Sequence, residues 1–322
     1  MTQARGSRAT WWVLGVAAFV VAAGGSAIYL VRSGATAAPH EAAVDSFPHV
    51  HGLAVDPTRP GVLWIGAHGS LVRVTDGKQW ARVGRQNYDM MGFTAHPREP
   101  NVLLTSGHPG PGDPRPNPLG VEISRDSGQT WQPLGLAGEA DFHAMAISRA
   151  DPKVLYAWNV SGRVGLYRSR DGGRQWEYLG LRGLDRVFYL AAHPGKASVV
   201  YAGTIHGLYV SEDAGETWRV VSPVLSSVPV TAVEVHATNP KIMYAYAAKP
   251  ELGLIRSEDG GKQWTSVGFF LGERDAVGNV ALHPNDPQTL YFATYNSDLY
   301  RSRDGGRSRE PLASHGKVVG SQ

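Results

Sequence analysis

An octapeptide, Ser-x-Asp-x-Gly-x-(Thr/Gln)-Trp, returns along this chain at a spacing that points to a repeat architecture. The clear copies are SRDSGQTW (Ser124–Trp131), SRDGGRQW (Ser169–Trp176), SEDAGETW (Ser211–Trp218) and SEDGGKQW (Ser257–Trp264). A fifth, SRDGGRSR from Ser302, has Arg309 in place of the Trp, and a shortened sixth, VTDGKQW, ends at Trp80. Starts at 124, 169, 211, 257 and 302 give a period of 42 to 46 residues. Each period opens with an apolar run ending in a Pro-containing turn, such as GLAVDP, GFTAHP or VALHP. A second apolar run follows, such as VLWIGA or VVYAGT, then a third that leads into the octapeptide, then a fourth after the Trp. Four short strands per period of about 45 residues are the pattern of a propeller blade. The expected fold class is therefore all-β: a six-bladed β-propeller with four-stranded blades over residues 46–313, preceded by one N-terminal transmembrane helix.

The octapeptide has a structural explanation. The carboxylates of Asp126, Asp171, Asp213, Asp259 and Asp304 can accept hydrogen bonds from the backbone of their own turns. The Gly permits positive φ where the chain reverses. Trp131, Trp176, Trp218 and Trp264 offer large apolar surfaces to wedge between sheets. The motif resembles the Asp-box (BNR) repeat of sialidases, sortilin-type receptors and several glycosidase propellers, and that resemblance implies a structural role for the boxes.

Residues Trp11–Val31 form an uncharged apolar run of 21 residues. At about 1.5 Å per residue a helix of this length crosses a hydrocarbon core of about 30 Å. Arg5 and Arg8 precede it, so the positive-inside bias puts residues 1–10 in the cytoplasm and the propeller outside. A signal peptide cleaved near Ala35-Thr36-Ala37, giving a secreted protein, is the alternative. The run exceeds the usual signal core and Arg32 interrupts the approach to the cleavage site, which favours an anchor in the cell membrane. Residues 32–45 read as a linker and 314–322 as a tail.

The chain has no Cys, which excludes disulfides, thiolate metal sites and Cys nucleophiles. A net charge of +3, with Arg spread through repeated turns, excludes a nucleic-acid-binding stripe. Function should sit where the repeats differ, and the twelve His residues sort by that criterion. His96, His193, His236 and His283 fall in the turns between first and second strands, and His40 and His315 lie near the ends of the chain. His49, His51 and His143 open first strands, whereas His68, His108 and His206 close second strands. Strand alternation sends these six to one face, around the mouth of the central channel.

Alignment of the first strands puts His49 in a layer with Asp89, Asp141, Arg186, Pro229 and Ala276. Two residues deeper lie His51, Met91, His143, Phe188, Thr231 and Gly278. Imidazoles, carboxylates and a thioether thus come from blades 1–3, while blades 4–6 give mostly unreactive groups. A Pro/Gly-rich insertion, His108–Gly120, lies on the same face and reads as a rigid loop.

Three functions fit this pattern. The first is a metal or small-ligand site made from His49, His51, His68, Asp89, Met91, His108, Asp141 and His143. Imidazole and carboxylate suit Zn, Cu, Ni or Fe, and Met90, Met91 and Met145 would favour Cu over Zn as the cofactor. A hydrogen-bonded His/Asp plug without an ion uses the same residues. The second is a glycoside hydrolase acting on a glycan through Asp89 and Asp141, since most glycosidases need two flanking carboxylates. The third is a platform for an envelope protein partner, with Tyr88, Phe142 and Tyr189 as its aromatics.

The strings His49-Val50-His51-Gly52-Leu53, Tyr88-Asp89-Met90-Met91-Gly92-Phe93, Ser106-Gly107-His108-Pro109, Asn117-Pro118-Leu119-Gly120 and Asp141-Phe142-His143 resemble a bacterial family of exported six-bladed Asp-box proteins labelled "glycosylhydrolase". The likeness covers residues 46 to 310 and implies a sialidase-like fold. The sialidase pattern itself has an Arg-(Ile/Leu)-Pro motif and an Arg triad. No Arg-(Ile/Leu)-Pro occurs here, and Arg186 is the only Arg in the aligned layers, so sialidase activity is not expected.

Overall fold

The computed structural model describes residues 39–320. The Trp11–Val31 segment and its expected membrane span lie outside the described residues. Among the described residues no helix is long and apolar enough to cross a membrane.

Six antiparallel sheets follow one another in chain order. Their innermost strands are Val50–Val55, Met91–Ala95, Phe142–Ile147, Val187–Ala192, Val230–Val235 and Val277–Leu282. Each innermost strand packs beside the next, and Val277–Leu282 packs beside Val50–Val55, which closes the ring. The six-bladed propeller is therefore the observed fold.

The sheets extend past both limits read from the repeat. Glu41–Ala43, in the expected linker, pairs with Gln79–Val83 as a fifth strand of blade 1. Lys317–Val318, in the expected tail, pairs with Glu310–Ser314 as a fifth strand of blade 6. The two ends then meet. Phe47 donates its N–H to the Gly316 carbonyl at 2.8 Å, and Val318 donates to that of Asp45 at 2.8 Å. These bonds satisfy backbone groups that an open ring would leave at an edge.

The core is divided into six apolar clusters, one between each pair of adjacent blades. Trp131, Trp176, Trp218 and Trp264 each pack on the cluster between their own blade and the preceding one. Trp80 does the same across the closure between blades 6 and 1. In blade 6, Arg309 takes the Trp's place. Its guanidinium lies over the Phe269 ring at 4.7 Å, and Phe269 packs on the cluster between blades 5 and 6.

Inside each full octapeptide the Asp carboxylate accepts the backbone N–H four residues on, for example Thr217 to Asp213 at 2.9 Å. The Ser, to which sequence alone assigns no role, is the buried centre of the turn. In the Asp213 turn its hydroxyl donates to the Asp at 2.7 Å and accepts the Gly215 N–H at 2.8 Å. The same pair of bonds recurs at Ser124, Ser169, Ser257 and Ser302. The turn histidines are also accounted for. Nδ1 of His96, His193, His236 and His283 each accepts a backbone N–H of its own turn.

Gly215 has φ of 92°, and a Cβ there would meet Leu166 Cδ2 at 2.8 Å. Gly215→Ala should therefore lower stability by about 2 kcal/mol, since it combines a left-handed backbone with overpacking. Urea unfolding checks this, with a half-buried Gly260→Ala, also at positive φ but with nothing near its Cβ, as the milder comparison.

Candidate functional site

Every innermost strand carries a register irregularity near its start. In blades 1, 3, 4, 5 and 6 the unpaired residue is His51, His143, Phe188, Thr231 and Gly278 respectively. A β-bulge breaks strict alternation and re-aims the side chain it carries. The two layers inferred from alternation consequently merge at the channel mouth. The rings of His49 and His51 are only 4.9 Å apart, edge to face.

The expected single cluster resolves into two compact groups. Ligand atoms of His51, His68 and Asp89 lie within 4.8 Å of one another, and those of His108, Asp141 and His143 do likewise. Both groups straddle a blade boundary. A His that closes the second strand of one blade (His68, His108) meets an Asp that precedes the first strand of the next (Asp89, Asp141). His49 belongs to neither group and lies alongside the Tyr295 ring at 6.5 Å. Met91 lines the cavity at the mouth. Met90 is buried in the cluster between blades 1 and 2, and Met145 in that between blades 2 and 3. Of the aromatics considered for partner binding, Tyr88 and Phe142 are buried core residues. Tyr189 is half-buried in the channel.

In the first group His68 Nδ1 is 2.7 Å from Asp89 Oδ1. His51 Nε2 is sealed from solvent without a hydrogen-bond partner. Burial, with His49, His68 and His143 nearby, pushes the His51 imidazole down to about 3. It is therefore neutral at any ordinary pH.

In the second group His108 Nε2 and His143 Nε2 converge on Asp141 Oδ2 at 3.2 and 3.1 Å. Asp141 is buried and its other oxygen, Oδ1, has no partner. Burial alone would raise this carboxyl, but the hydrogen bond and charge of His143, together with His108, outweigh burial and hold it below the usual range. His108 Nδ1 sits 2.7 Å from Asn117 Oδ1. Asn117 lies in the insertion, and sequence reasoning missed it. Only its place in a loop beginning at His108 could have pointed to it.

That loop is pinned as well as rigid. Arg115 pairs with Asp113 at 2.6 Å and with the buried Glu122 at 2.9 Å, and lies 4.5 Å over the Tyr88 ring. The pinning fixes Asn117, and Asn117 in turn orients His108.

Blades 3, 4 and 6 supply the opposite wall. Val160, Val164, Leu181, Phe188 and Tyr295 face a cavity of about 520 Å³ that His49, His51, Met91 and His143 close on the other side. His206 also lies at this end, 3.6 Å from Asp185.

No protein-family model matches this chain, and no curated protein matches it. Solved structures do. The chain is similar to a GH74 enzyme from Niastella koreensis at 15% identity and TM-score 0.59, covering 86% of this chain and 47% of that one. It is similar to the GH74 xyloglucanase from Xanthomonas campestris at 20% identity and TM-score 0.54, covering 85% and 47%. A chain in a nidogen/laminin complex aligns at 11% identity and TM-score 0.62, covering 80% and 95%. This chain thus spans about half the length of the two GH74 proteins. At these identities the likeness establishes the β-propeller fold alone.

Acid sensitivity follows from this geometry. His51 is held near 3 when folded against 6.5 when unfolded, so the unfolded chain binds the extra proton. Stability should fall as pH drops from 6.5 toward 3. The depressed Asp141 adds a loss in the same direction at the lower end. His51→Phe should flatten the upper part of that decline, measured by urea unfolding of chelator-treated protein from pH 7 to 4.

Proposed function

We propose that this propeller binds first-row divalent metal ions, Zn²⁺ or Cu²⁺, at the blade 1–3 side of its channel mouth. The His108, Asp141 and His143 group is the principal site, and His51, His68 and Asp89 form a second. The observation that carries this reading is the state of His108. With the Asn117 amide oriented as found, His108 Nδ1 donates its proton to Asn117 Oδ1. The Nε2 of a neutral His108 is then a lone pair facing the Asp141 carboxylate at 3.2 Å. Two acceptors face each other, which calls for either an extra proton or a cation between them.

Ligand separations in the principal site are compatible with a cation. Donors about 2.1 Å from a tetrahedral or octahedral metal sit roughly 3.0–3.4 Å from one another. The two imidazole–carboxylate distances, 3.1 and 3.2 Å, fall in that range. A metal-bound His whose other ring nitrogen donates to a fixed carbonyl oxygen is also the usual outer arrangement, because it sets the tautomer. The neutral, unpartnered His51 suits the second site for the same reason, since a metal needs the lone pair of an unprotonated imidazole. Met90 is buried in the core and Met145 is largely buried where it lines the cavity, which leaves Met91 as the more accessible thioether, so the donors are mainly nitrogen and oxygen.

A glycosidic acid/base pair has weaker support. A general acid needs a raised pKa, whereas Asp141 is held down and Asp89 is bonded to His68. We further infer that the site faces the outside of the cell, tethered through Trp11–Val31, because that run is long enough to span a bilayer and follows Arg5 and Arg8.

Metal analysis of tag-free protein tests the proposal. We expect one to two equivalents of Zn²⁺ or Cu²⁺. His143→Ala or Asp141→Asn should weaken the principal site by at least a hundredfold, and Asn117→Leu by ten- to a hundredfold. Substoichiometric metal that these substitutions leave unchanged would overturn it.

A further inference from the structure

The exposed large hydrophobic side chains among the described residues are few, and they are not scattered. Of six, four (Val160, Val164, Leu181 and Tyr295) line the one cavity that the histidine wall closes. Isolated exposed apolar residues need no explanation, but four gathered on a single concave wall do. At about 520 Å³ the cavity is in the size range of small-molecule sites.

One charged group from the same wall is uncommitted. Arg186 is exposed at the cavity lip, and its guanidinium has no hydrogen bond or ion pair with any described residue. Its backbone is left-handed, with φ of 45°. A non-Gly residue there carries strain that the surroundings must hold. The segment from Leu181 to Arg186 is built to hold it. Arg182, itself at φ of 51°, is paired with Glu216 at 2.9 Å, Leu184 is buried, and Leu184 donates its N–H to the Leu181 carbonyl at 2.8 Å. The loop thus commits one arginine to the neighbouring surface and presents the other to the cavity.

We propose that this cavity takes a small organic carboxylate with an apolar aromatic or alkyl body. The body packs on Val160, Val164, Leu181 and Tyr295, and the carboxylate pairs with Arg186. A planar guanidinium suits a carboxylate because two parallel N–H donors match its two oxygens. The nearest acid to Arg186 in sequence, Asp185, also lines the cavity but is paired with His206, 3.6 Å away, and makes no ion pair with Arg186. The inference deepens the reading of the channel mouth as a ligand site. It rests on the wall opposite the His/Asp groups, so it stands or falls separately from the metal.

Calorimetric titration of 2-naphthoate and of octanoate into metal-loaded and chelator-stripped protein tests it. We expect saturable binding in both forms. Naphthalene-2-methanol, which keeps the body and loses the charge, and acetate, which keeps the charge and loses the body, should each bind at least tenfold more weakly. Arg186→Gln should weaken naphthoate tenfold or more, Arg186→Lys less, and Leu181→Asp tenfold or more. Circular dichroism should show the fold retained in all three, because both positions are exposed. Failure of both carboxylates to bind, equal binding of the neutral alcohol, or indifference to Arg186→Gln would each overturn the proposal. Binding that disappears only when metal is stripped, with Arg186→Gln silent, would place the carboxylate on the metal and sink this inference while leaving the metal reading intact. Metal-free protein that binds naphthoate through Arg186 would do the reverse if metal analysis fails.

Discussion

Every blade of this molecule depends on its two neighbours for burial. A twisted four-stranded sheet has two faces, and here both are covered by the adjacent sheets, with an apolar cluster at each of the six boundaries. A sheet removed from the ring would expose both faces, so stability belongs to the closed circle. That constraint explains why the repeat spends a Trp on each boundary. It also explains why blade 6, which lacks one, places the Arg309 guanidinium over Phe269. Closure of the circle is then the step with least redundancy. It uses Trp80, the Phe47 ring stacked on it at 5.6 Å, and backbone bonds between Asp45–Phe47 and Gly316–Val318.

Rigid closure has a consequence at the channel mouth. The innermost strands cannot shift without disturbing two boundaries, so side chains at their starts are held at fixed separations. The bulges in these strands use that rigidity, re-aiming His51 and His143 toward neighbours supplied by other blades. Both His/Asp groups are boundary features for the same reason that the apolar clusters are. The end of one blade's second strand and the start of the next blade's first strand are adjacent wherever two blades pack. The repeat that builds the core therefore also builds the site, once His and Asp replace the residues that blades 4 to 6 carry there.

The fold was legible in the sequence because its determinants are periodic and local. The octapeptide, the Pro turns and the apolar runs each recur, and the residues that cap the turns, such as His96 and Asp213, act within four positions of themselves. Legibility failed where partners are distant or where periodicity is broken. Glu41–Ala43 has no repeat counterpart, and its pairing with Gln79–Val83 depends on a strand edge that the octapeptide does not mark. The bulges are invisible to an alternation argument that assumes none, so two layers were expected where the structure has one mixed surface. Asn117 and the Leu181–Arg186 loop lie in connections whose conformation is set by tertiary ties, Arg115 to Glu122 and Arg182 to Glu216. Neither tie has a sequence signature.

A polar plug and a metal site would use the same histidines, and the distinction turns on proton bookkeeping at Asp141. In a plug, each imidazole facing the carboxylate must present an N–H. His143 can do so through Nε2 while neutral. With the Asn117 amide oriented as found, His108 cannot, because its proton is committed to Asn117 Oδ1, so a plug then requires His108 to be an imidazolium. That charge would still leave Asp141 Oδ1 buried without a donor, and His51 Nε2 buried without a partner a short distance away. A divalent ion at the meeting point of the two Nε2 atoms and Asp141 Oδ2 removes the need for the extra proton. At His51, burial holds the imidazole in the neutral form, which is the form a metal ligand requires.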